Sequence, residues 1–324
     1  MNEFLTVVAA VFPVMAVACA GIGLRLRGWL TEEADASLLR VTINLLVPCL
    51  ILDALIGNEA LTGAGNLLLP PLVGFSTILI AAGVAILGVR FTGLTEPVSR
   101  RTFIHAVTIQ NYGYIPIPLA LLLFNRETMG VLFLHNVGVE TGLWTVGLAL
   151  LRGGRPGEHW KRILNPPLAA IVGALLINGV RAMHVLPVWV HPPAELVMVA
   201  ARMLGQCAIP MGLLLIGATM ADHRHAFSAR RGMRFMVLAC ALRVGLIPLL
   251  LLQIPTWLPM SVELQEVVVL EAAMPAAVFS VVMAKHYGGD MRVSLGVVVS
   301  TSLAGLATIP LWIRFGLHFL GLPS

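Results

Sequence analysis

Long apolar runs separated by short polar stretches dominate the pattern of this chain. Ten runs are bounded by charged residues or by glycine and proline, and they cover residues 4–24, 38–58, 67–89, 102–124, 128–151, 163–180, 193–220, 233–252, 263–285 and 292–315. A helix of about 20 residues crosses the hydrocarbon core of a bilayer. Because only helices and closed barrels satisfy their backbone groups in lipid, the runs predict ten transmembrane helices.

The composition supports an all-α polytopic membrane protein. Of the 324 residues, 58% are hydrophobic and only 11% are charged, with a mean hydropathy of +0.91. Soluble domains carry about 25% charged residues, so a soluble globule and a disordered chain are both excluded. Residues 4–24 lack the positive flank of a signal peptide and are predicted to remain as the first membrane helix. The four cysteines lie inside apolar runs without metal-ligand spacing, so no metal site and no resident cofactor are predicted.

The positions of the basic residues predict the topology. Sixteen of the 21 lysines and arginines fall in alternate loops, whereas the loops on the opposite side hold only Arg126, Arg181 and Arg314. By the positive-inside rule the basic side is cytoplasmic. Both termini are then expected on the non-cytoplasmic side of the cell inner membrane. The net charge of +5 is accounted for in this way, and no nucleic-acid partner is predicted.

The chain divides into two halves of five runs each. Residues 152–162 form a polar, glycine-rich cytoplasmic linker between a first five-helix repeat, 1–151, and a second, 163–324. Because five is odd, the second repeat must enter the membrane in the inverted orientation. Corresponding residues recur at spacings of 162, 159 and 162: Pro48 with Pro210, Pro116 with Pro275, and Met129 with Met291. Inverted repeats with interrupted helices are typical of secondary transporters.

The fourth run contains a polar stretch that an unbroken helix does not accommodate. Residues 110–118 read QNYGYIPIP, in which each proline lacks an N–H donor and glycine loosens the backbone. Unpaired carbonyls at membrane depth are tolerated where they line a cavity, and the N-terminus of a half-helix attracts anions. The substrate-binding residues predicted here are Gln110, Asn111, Gly113 and Pro116. The alternative is a proline kink that serves packing alone.

The ninth run carries a carboxylate near its middle. Glu271 lies four residues before Pro275, and a charge at that depth costs about 2.5–3.5 kcal/mol on insertion scales. It should therefore face the interior and bind a proton, a cation or a basic partner. We predict Glu271 as a coupling site, with Met274 and Pro275 contacting substrate at the second break. An interhelical salt bridge with Arg243 of the eighth run is the alternative.

The fifth run offers a second place for the coupling ion or proton. Asn136 and Glu140 are four residues apart, so they share one face of a helix.

Six motifs resemble the auxin efflux carrier family, particularly its bacterial members. They are LVPCLIL, RRTFIHAVTIQNYGYIPIPLALLLF, ILNPPLAAIVGALL, AIPMGLLLIGATM, LRVGLIPLL and EAAMPAAVFSVVMAKHYGGD, spread over essentially the whole chain. The resemblance implies the fold of the bile-acid sodium symporters, with two inverted five-helix repeats whose fourth and ninth helices are broken and cross at mid-membrane. It also implies that Asn111 contacts substrate or ion and that Glu271 lies near a cation site. Pro116 departs from the family pattern, in which glycine is common at that position.

The sequence thus predicts a secondary active transporter that moves a small organic anion by alternating access. Relatives of this kind carry auxin, malate or malonate, and the coupling ion would be a proton or sodium. A sodium-coupled bile-acid-type symporter is the nearest alternative, followed by a passive channel. An intramembrane enzyme is disfavoured because no run contains two aspartates or a nucleophile beside a base. The expected partners are the lipid bilayer and the organic anion, and a homodimer is compatible with the sequence.

Overall fold

The computed structural model describes residues 3–62, 64–154, 164–183, 191–222 and 233–322, and this part of the chain is helical without β-strands. The helices of the first half are α1 (Glu3–Leu26), α2 (Glu32–Val41), α3 (Val47–Leu55), α4 (Ala64–Gly88), α5 (Pro97–Thr108), α6 (Pro116–Leu123), α7 (Arg126–Gly142) and α8 (Leu148–Arg152). Those of the second half are α9 (Pro166–Ala182), α10 (His191–Gln206), α11 (Ala208–Asp222), α12 (Met233–Ala241), α13 (Ile247–Leu251), α14 (Ile254–Trp257), α15 (Val262–Ala272), α16 (Phe279–His286) and α17 (Met291–Leu320).

Several of these helices join into longer runs. Single π-helical turns at Thr42–Leu46, Leu143–Gly147 and Leu242–Leu246 connect α2 to α3, α7 to α8 and α12 to α13. Five runs in the described residues are long and apolar enough to cross a membrane: Glu32–Leu55, Gly65–Phe91, Glu195–Asp222, Met233–Trp257 and Met291–Leu320. The prediction of an all-α membrane protein is therefore confirmed.

The predicted linker between the halves lies mostly outside the described residues. Arg152 is still the last residue of α8, and Gly153 follows with a φ of 71°, a left-handed conformation that ends the helix. Residues 155–162 of the linker fall outside the described ranges.

Glycines bring two pairs of helices into backbone contact. Gly74 and Gly138 lie where α4 meets α7, and a side chain at either position would collide with the backbone of the other helix. Gly21 and Gly217 likewise allow the backbones of α1 and α11 to touch. Small residues that allow such close approach are the usual basis of helix packing in membranes, where the hydrophobic effect does not drive helices together.

The helices form two groups by their contacts. One group comprises α1, α3, α9, α10 and α11, and the other comprises α4, α5, α6, α7, α12, α15 and α17. Contacts between the groups are fewer, and they run from α7 to α3 and α9 and from α1 to α6 and α17. The sheltered space between the groups is where the candidate site lies.

Two helical segments are interrupted by extended chain. The first break separates α5 from α6, and the second separates α15 from α16. Pro116 begins α6 instead of lying inside the break, because its fixed φ and missing N–H suit the first position of a helix. The disruption of the fourth run thus falls at residues 109–115, somewhat earlier than the prolines themselves suggest.

Candidate functional site

The two helix breaks pair with each other. The backbone N–H of Asn111 donates to the carbonyl oxygen of Pro275 at 2.8 Å, and the N–H of Ala277 donates to the carbonyl oxygen of Ile109 at 2.9 Å. Gln110 and Ala276 lie between these bonds as an isolated antiparallel bridge. Each break therefore satisfies part of the backbone that the other break leaves unpaired.

The pairing leaves other backbone donors free. Within the described chain, the N–H groups of residues 112–115 make no hydrogen bond, and neither do those of Val278 and Phe279 at the start of α16. These groups precede or begin the half-helices α6 and α16, whose N-terminal dipoles favour negative charge. Both half-helix starts border one cavity.

This cavity has a volume of about 330 Å³ and lies between the two groups of helices. Residues of α3, α9 and α11 form one wall, and the two breaks with α7 form the other. Most of the lining is apolar or aromatic, including Phe133, Trp144 and Phe279. Its polar side chains are Asn111, Tyr112, Tyr114, Asn136, Glu140 and Asn165. No lysine, arginine or histidine is among the described lining residues.

A hydrogen-bond network surrounds Glu140 at the edge of this cavity. The Tyr112 hydroxyl donates to Oε1 of Glu140 at 3.5 Å, and Nδ2 of Asn165 donates to Oε2 at 2.7 Å. Asn136 donates to the Tyr112 carbonyl oxygen at 2.6 Å, whereas its own Oδ1 is buried without a partner in the described structure. Since Asn165 also caps α9 by accepting from the N–H of Leu168, the Glu140–Asn165 bond connects the two helix groups.

A second polar cluster lies behind the paired breaks and does not line the cavity. Gln110, Arg243 and Glu271 are each 0% exposed. Nε2 of Gln110 donates to Oγ1 of Thr77 at 3.3 Å, and Nε of Arg243 donates to the carbonyl oxygen of Met274 at 3.1 Å. The alternative of a direct Arg243–Glu271 salt bridge is not found among the described contacts, although the two charges interact electrostatically.

The residues singled out from the sequence thus divide between two places. The cavity is lined by Asn111, Gly113, Asn136 and Glu140. Gln110, Pro116, Glu271, Met274 and Pro275 lie outside its lining, at or behind the breaks. Asn111 is 4% exposed, and its side chain makes no hydrogen bond to another described residue.

Sequence reasoning missed three polar residues of the cavity, Tyr112, Tyr114 and Asn165. Tyr112 lies in the motif used to predict the first break, but only the folded break brings its hydroxyl to Glu140. Asn165 precedes Pro166 and Pro167, and asparagine followed by proline is a signal for a helix N-cap. That signal predicts the cap, although it does not predict the contact with Glu140.

Long apolar helices and a sheltered cavity beside two helix breaks define a multi-pass membrane protein of the transporter class. Residues 6–159 and residues 157–313 each match the model of a family described as membrane transport protein. The chain belongs to this family of auxin efflux carrier type, as its motifs predict. It is also similar to an uncharacterized transporter of Methanothermobacter thermautotrophicus, with 26% identity over 308 residues that cover 93% of this chain and 96% of the relative.

Proposed function

We propose that the protein is a secondary active transporter that moves a small organic anion across the cell inner membrane by alternating access. The observation that carries this proposal is the pairing of the two breaks through Asn111 and Pro275, beside a cavity that both half-helix starts border. Broken helices that meet in this way place free backbone donors and helix dipoles at one point, which is where secondary transporters bind anions.

The proposed architecture is ten transmembrane helices in two inverted five-helix repeats, with the fourth and ninth helices crossing at their breaks. Two features support it. The antiparallel bridge between Gln110 and Ala276 joins equivalent parts of the two halves, and the family matches 6–159 and 157–313 meet within the predicted linker. Both termini are proposed to lie outside the cytoplasm, on the basis of the distribution of arginine and lysine.

The position of the cavity supports alternating access. Its two walls belong to different helix groups that make fewer contacts with each other than within themselves. The glycine contacts hold α4 against α7 in one group and α1 against α11 in the other. We therefore propose that one group moves against the other as a rigid body, which exposes the cavity to each side of the membrane in turn.

The chemistry of the cavity favours an acid with one carboxylate and an apolar body. Neutral donors are available for an anion, namely the Asn111 side chain and the free N–H groups of the breaks. The described lining offers no cation for a second carboxylate, and a buried carboxylate without donors or a counter-charge is costly. Auxin-like weak acids fit this lining better than malate or malonate.

Glu140 is the group through which proton coupling is proposed. Its carboxylate shares the cavity with the proposed anion, and two like charges in an apolar space repel strongly. Protonation of Glu140 removes that repulsion, so uptake of a proton and of the anion would favour each other. Asn136, which shares a face of α7 with Glu140, would donate the second N–H of its Nδ2 to the anion.

The decisive experiment uses purified protein reconstituted into liposomes. Uptake of radiolabelled indole-3-acetate, benzoate, malonate and malate is measured with and without sodium, at an acidic and an alkaline pH. We expect saturable uptake of the monocarboxylates, stimulated by unlabelled acid inside the vesicles. Flux that neither saturates nor shows exchange would indicate a channel, and preferential uptake of dicarboxylates would contradict the proposed substrate class.

A further inference from the structure

Two opposite charges are buried behind the paired breaks, away from the cavity. Arg243 lies on the π-helical turn Leu242–Leu246, and Glu271 lies in the last turn of α15. Both side chains are 0% exposed. A charge in such a place is expensive unless an opposite charge or hydrogen bonds compensate it.

The polar atoms of this pair are largely without partners. Nη1 and Nη2 of Arg243 and both carboxylate oxygens of Glu271 are buried with no hydrogen bond in the described structure. Nε of Arg243 is held by the carbonyl oxygen of Met274, the residue before Pro275. Oε1 of Gln110, whose side chain neighbours Glu271, is also unpartnered.

We propose that Arg243 is a tethered counter-cation for Glu271, which compensates the charge of the carboxylate across the buried cluster without a direct ion pair, so that no cation from solution is needed there. The inference rests on the proposed function in that it treats the breaks as part of the transport machinery. An arginine keeps its charge under all physiological conditions. A carboxylate with a permanent cation in the same buried cluster has no need to recruit sodium for neutrality, so coupling by sodium at Glu271 is not expected in this chain.

Arg243 is the charged side chain that the described structure ties to the second break, through the Met274 carbonyl oxygen. Helices α6, α7, α13 and α17 pack against α15. Of these, α6 and α13 carry no titratable side chain. The titratable residues are Arg126, Glu127, His135 and Glu140 on α7 and Arg292, Arg314 and His318 on α17, and none of them forms an ion pair or a hydrogen bond with Glu271 in the described structure.

Removing the guanidinium should therefore convert the cluster into a cation site. Without Arg243, the carbonyl oxygen of Met274 is released and joins the Glu271 carboxylate and Oε1 of Gln110 as oxygen ligands. Carbonyl and carboxylate oxygens at a broken helix are the usual ligands of sodium in secondary transporters. A proton on Glu271 is the other way to restore neutrality.

The test measures the melting temperature of purified protein in detergent, in sodium chloride and in potassium chloride of equal ionic strength, at an acidic and an alkaline pH. Wild type and Arg243→Lys should melt at the same temperature in both salts. Arg243→Gln should be stabilised by several degrees by sodium or by acid, because a ligand of the folded state raises its stability. The double variant Arg243→Gln/Glu271→Gln should lose that response.

Identical melting of Arg243→Gln under all four conditions would overturn the proposal. So would a sodium-specific stabilisation of the wild type that Glu271→Gln removes. If Arg243→Gln fails to fold, the double variant should recover folded protein, since it carries no unpaired charge, and failure of that recovery also overturns the proposal. None of these readouts needs a substrate, so a negative transport assay leaves them unaffected.

Discussion

The backbone N–H of Asn111 lies 2.8 Å from the carbonyl oxygen of Pro275, and this hydrogen bond joins the breaks of two helices that are far apart in sequence. Because the bond uses backbone atoms alone, it is independent of the Asn111 side chain. That side chain is left to the cavity, where it is an uncommitted donor and acceptor. The backbone of Asn111 thus holds the two breaks together, whereas its side chain is available to a bound anion.

Replacement of Asn111 by alanine should strongly reduce transport without unfolding the protein. A hydrogen bond to a charged group contributes about 1.5–3 kcal/mol, so we expect initial uptake to fall by about tenfold or more. The measurement is uptake in liposomes at matched amounts of reconstituted protein. Asn44→Ala is the control, because Asn44 is exposed and bonds only to the Arg40 carbonyl oxygen. Normal uptake by Asn111→Ala would contradict the assignment of the site.

Glu140→Gln should make transport insensitive to pH. Uptake by the wild type should rise as the pH falls, because protonation removes the negative charge that opposes an anion in the cavity. The amide imitates the protonated acid, so the variant should transport at a similar rate under acidic and alkaline conditions. Uptake is compared across a pH series with Glu33→Gln as the control, since Glu33 is exposed on α2. A variant that keeps the wild-type pH profile would remove Glu140 from the coupling mechanism.

The local sequence is sufficient to predict an all-α chain with long apolar helices and the positions of the two breaks. Apolar runs predict where the helices lie because a span needs enough apolar residues to cross the bilayer. Proline and glycine around Gly113 and Pro275 predict the interruptions because they disturb the hydrogen-bond ladder at those positions. Each of these signals is contained within one run of the chain.

The partners of the breaks could not be predicted in the same way. Nothing near Asn111 specifies Pro275 as its acceptor, and nothing near Asn165 specifies Glu140, because both contacts depend on how distant helices pack. The π-helical turn that carries Arg243 is also absent from the apolar pattern, which is the same for α- and π-helical residues. The residues that line the cavity could therefore be identified only from the packing of the helices.

The contact between α4 and α7 gives a prediction about stability. A methyl group at Gly138 would meet the carbonyl oxygen of Pro71 and the backbone nitrogen of Phe75. Overpacking of this kind costs about 1–3 kcal/mol, so Gly138→Ala should lower the melting temperature in detergent. Gly83→Ala, also on α4, should leave it unchanged or raise it, because a methyl group there meets nothing within 4 Å. Equal melting temperatures for the two variants would show that the helices are not in backbone contact.

The end of α3 offers a matched comparison of two arginines. Arg126 donates to the carbonyl oxygens of Asp53 and Ile56, the second at 2.7 Å. Arg202 instead reaches the Asp53 carboxylate at 3.0 Å with a side chain that is 55% exposed. Carbonyl groups at the C-terminus of a helix need donors, and bonds to a charged donor contribute about 1.5–3 kcal/mol. An exposed ion pair contributes about 0–1 kcal/mol and weakens with salt.

Arg126→Gln should therefore lower the melting temperature more than Arg202→Gln does. The effect of Arg202→Gln should shrink further in high salt, because the ion pair that it removes is screened by mobile ions. The loss of melting temperature in Arg126→Gln should persist in high salt. The carbonyl oxygens that lose their donor are part-buried, and mobile ions do not replace a hydrogen-bond donor. The melting temperatures of both variants and of the wild type are compared at low and high ionic strength. A larger or salt-resistant effect of Arg202→Gln would mean that Asp53, and not the helix end, is the group that these arginines stabilise.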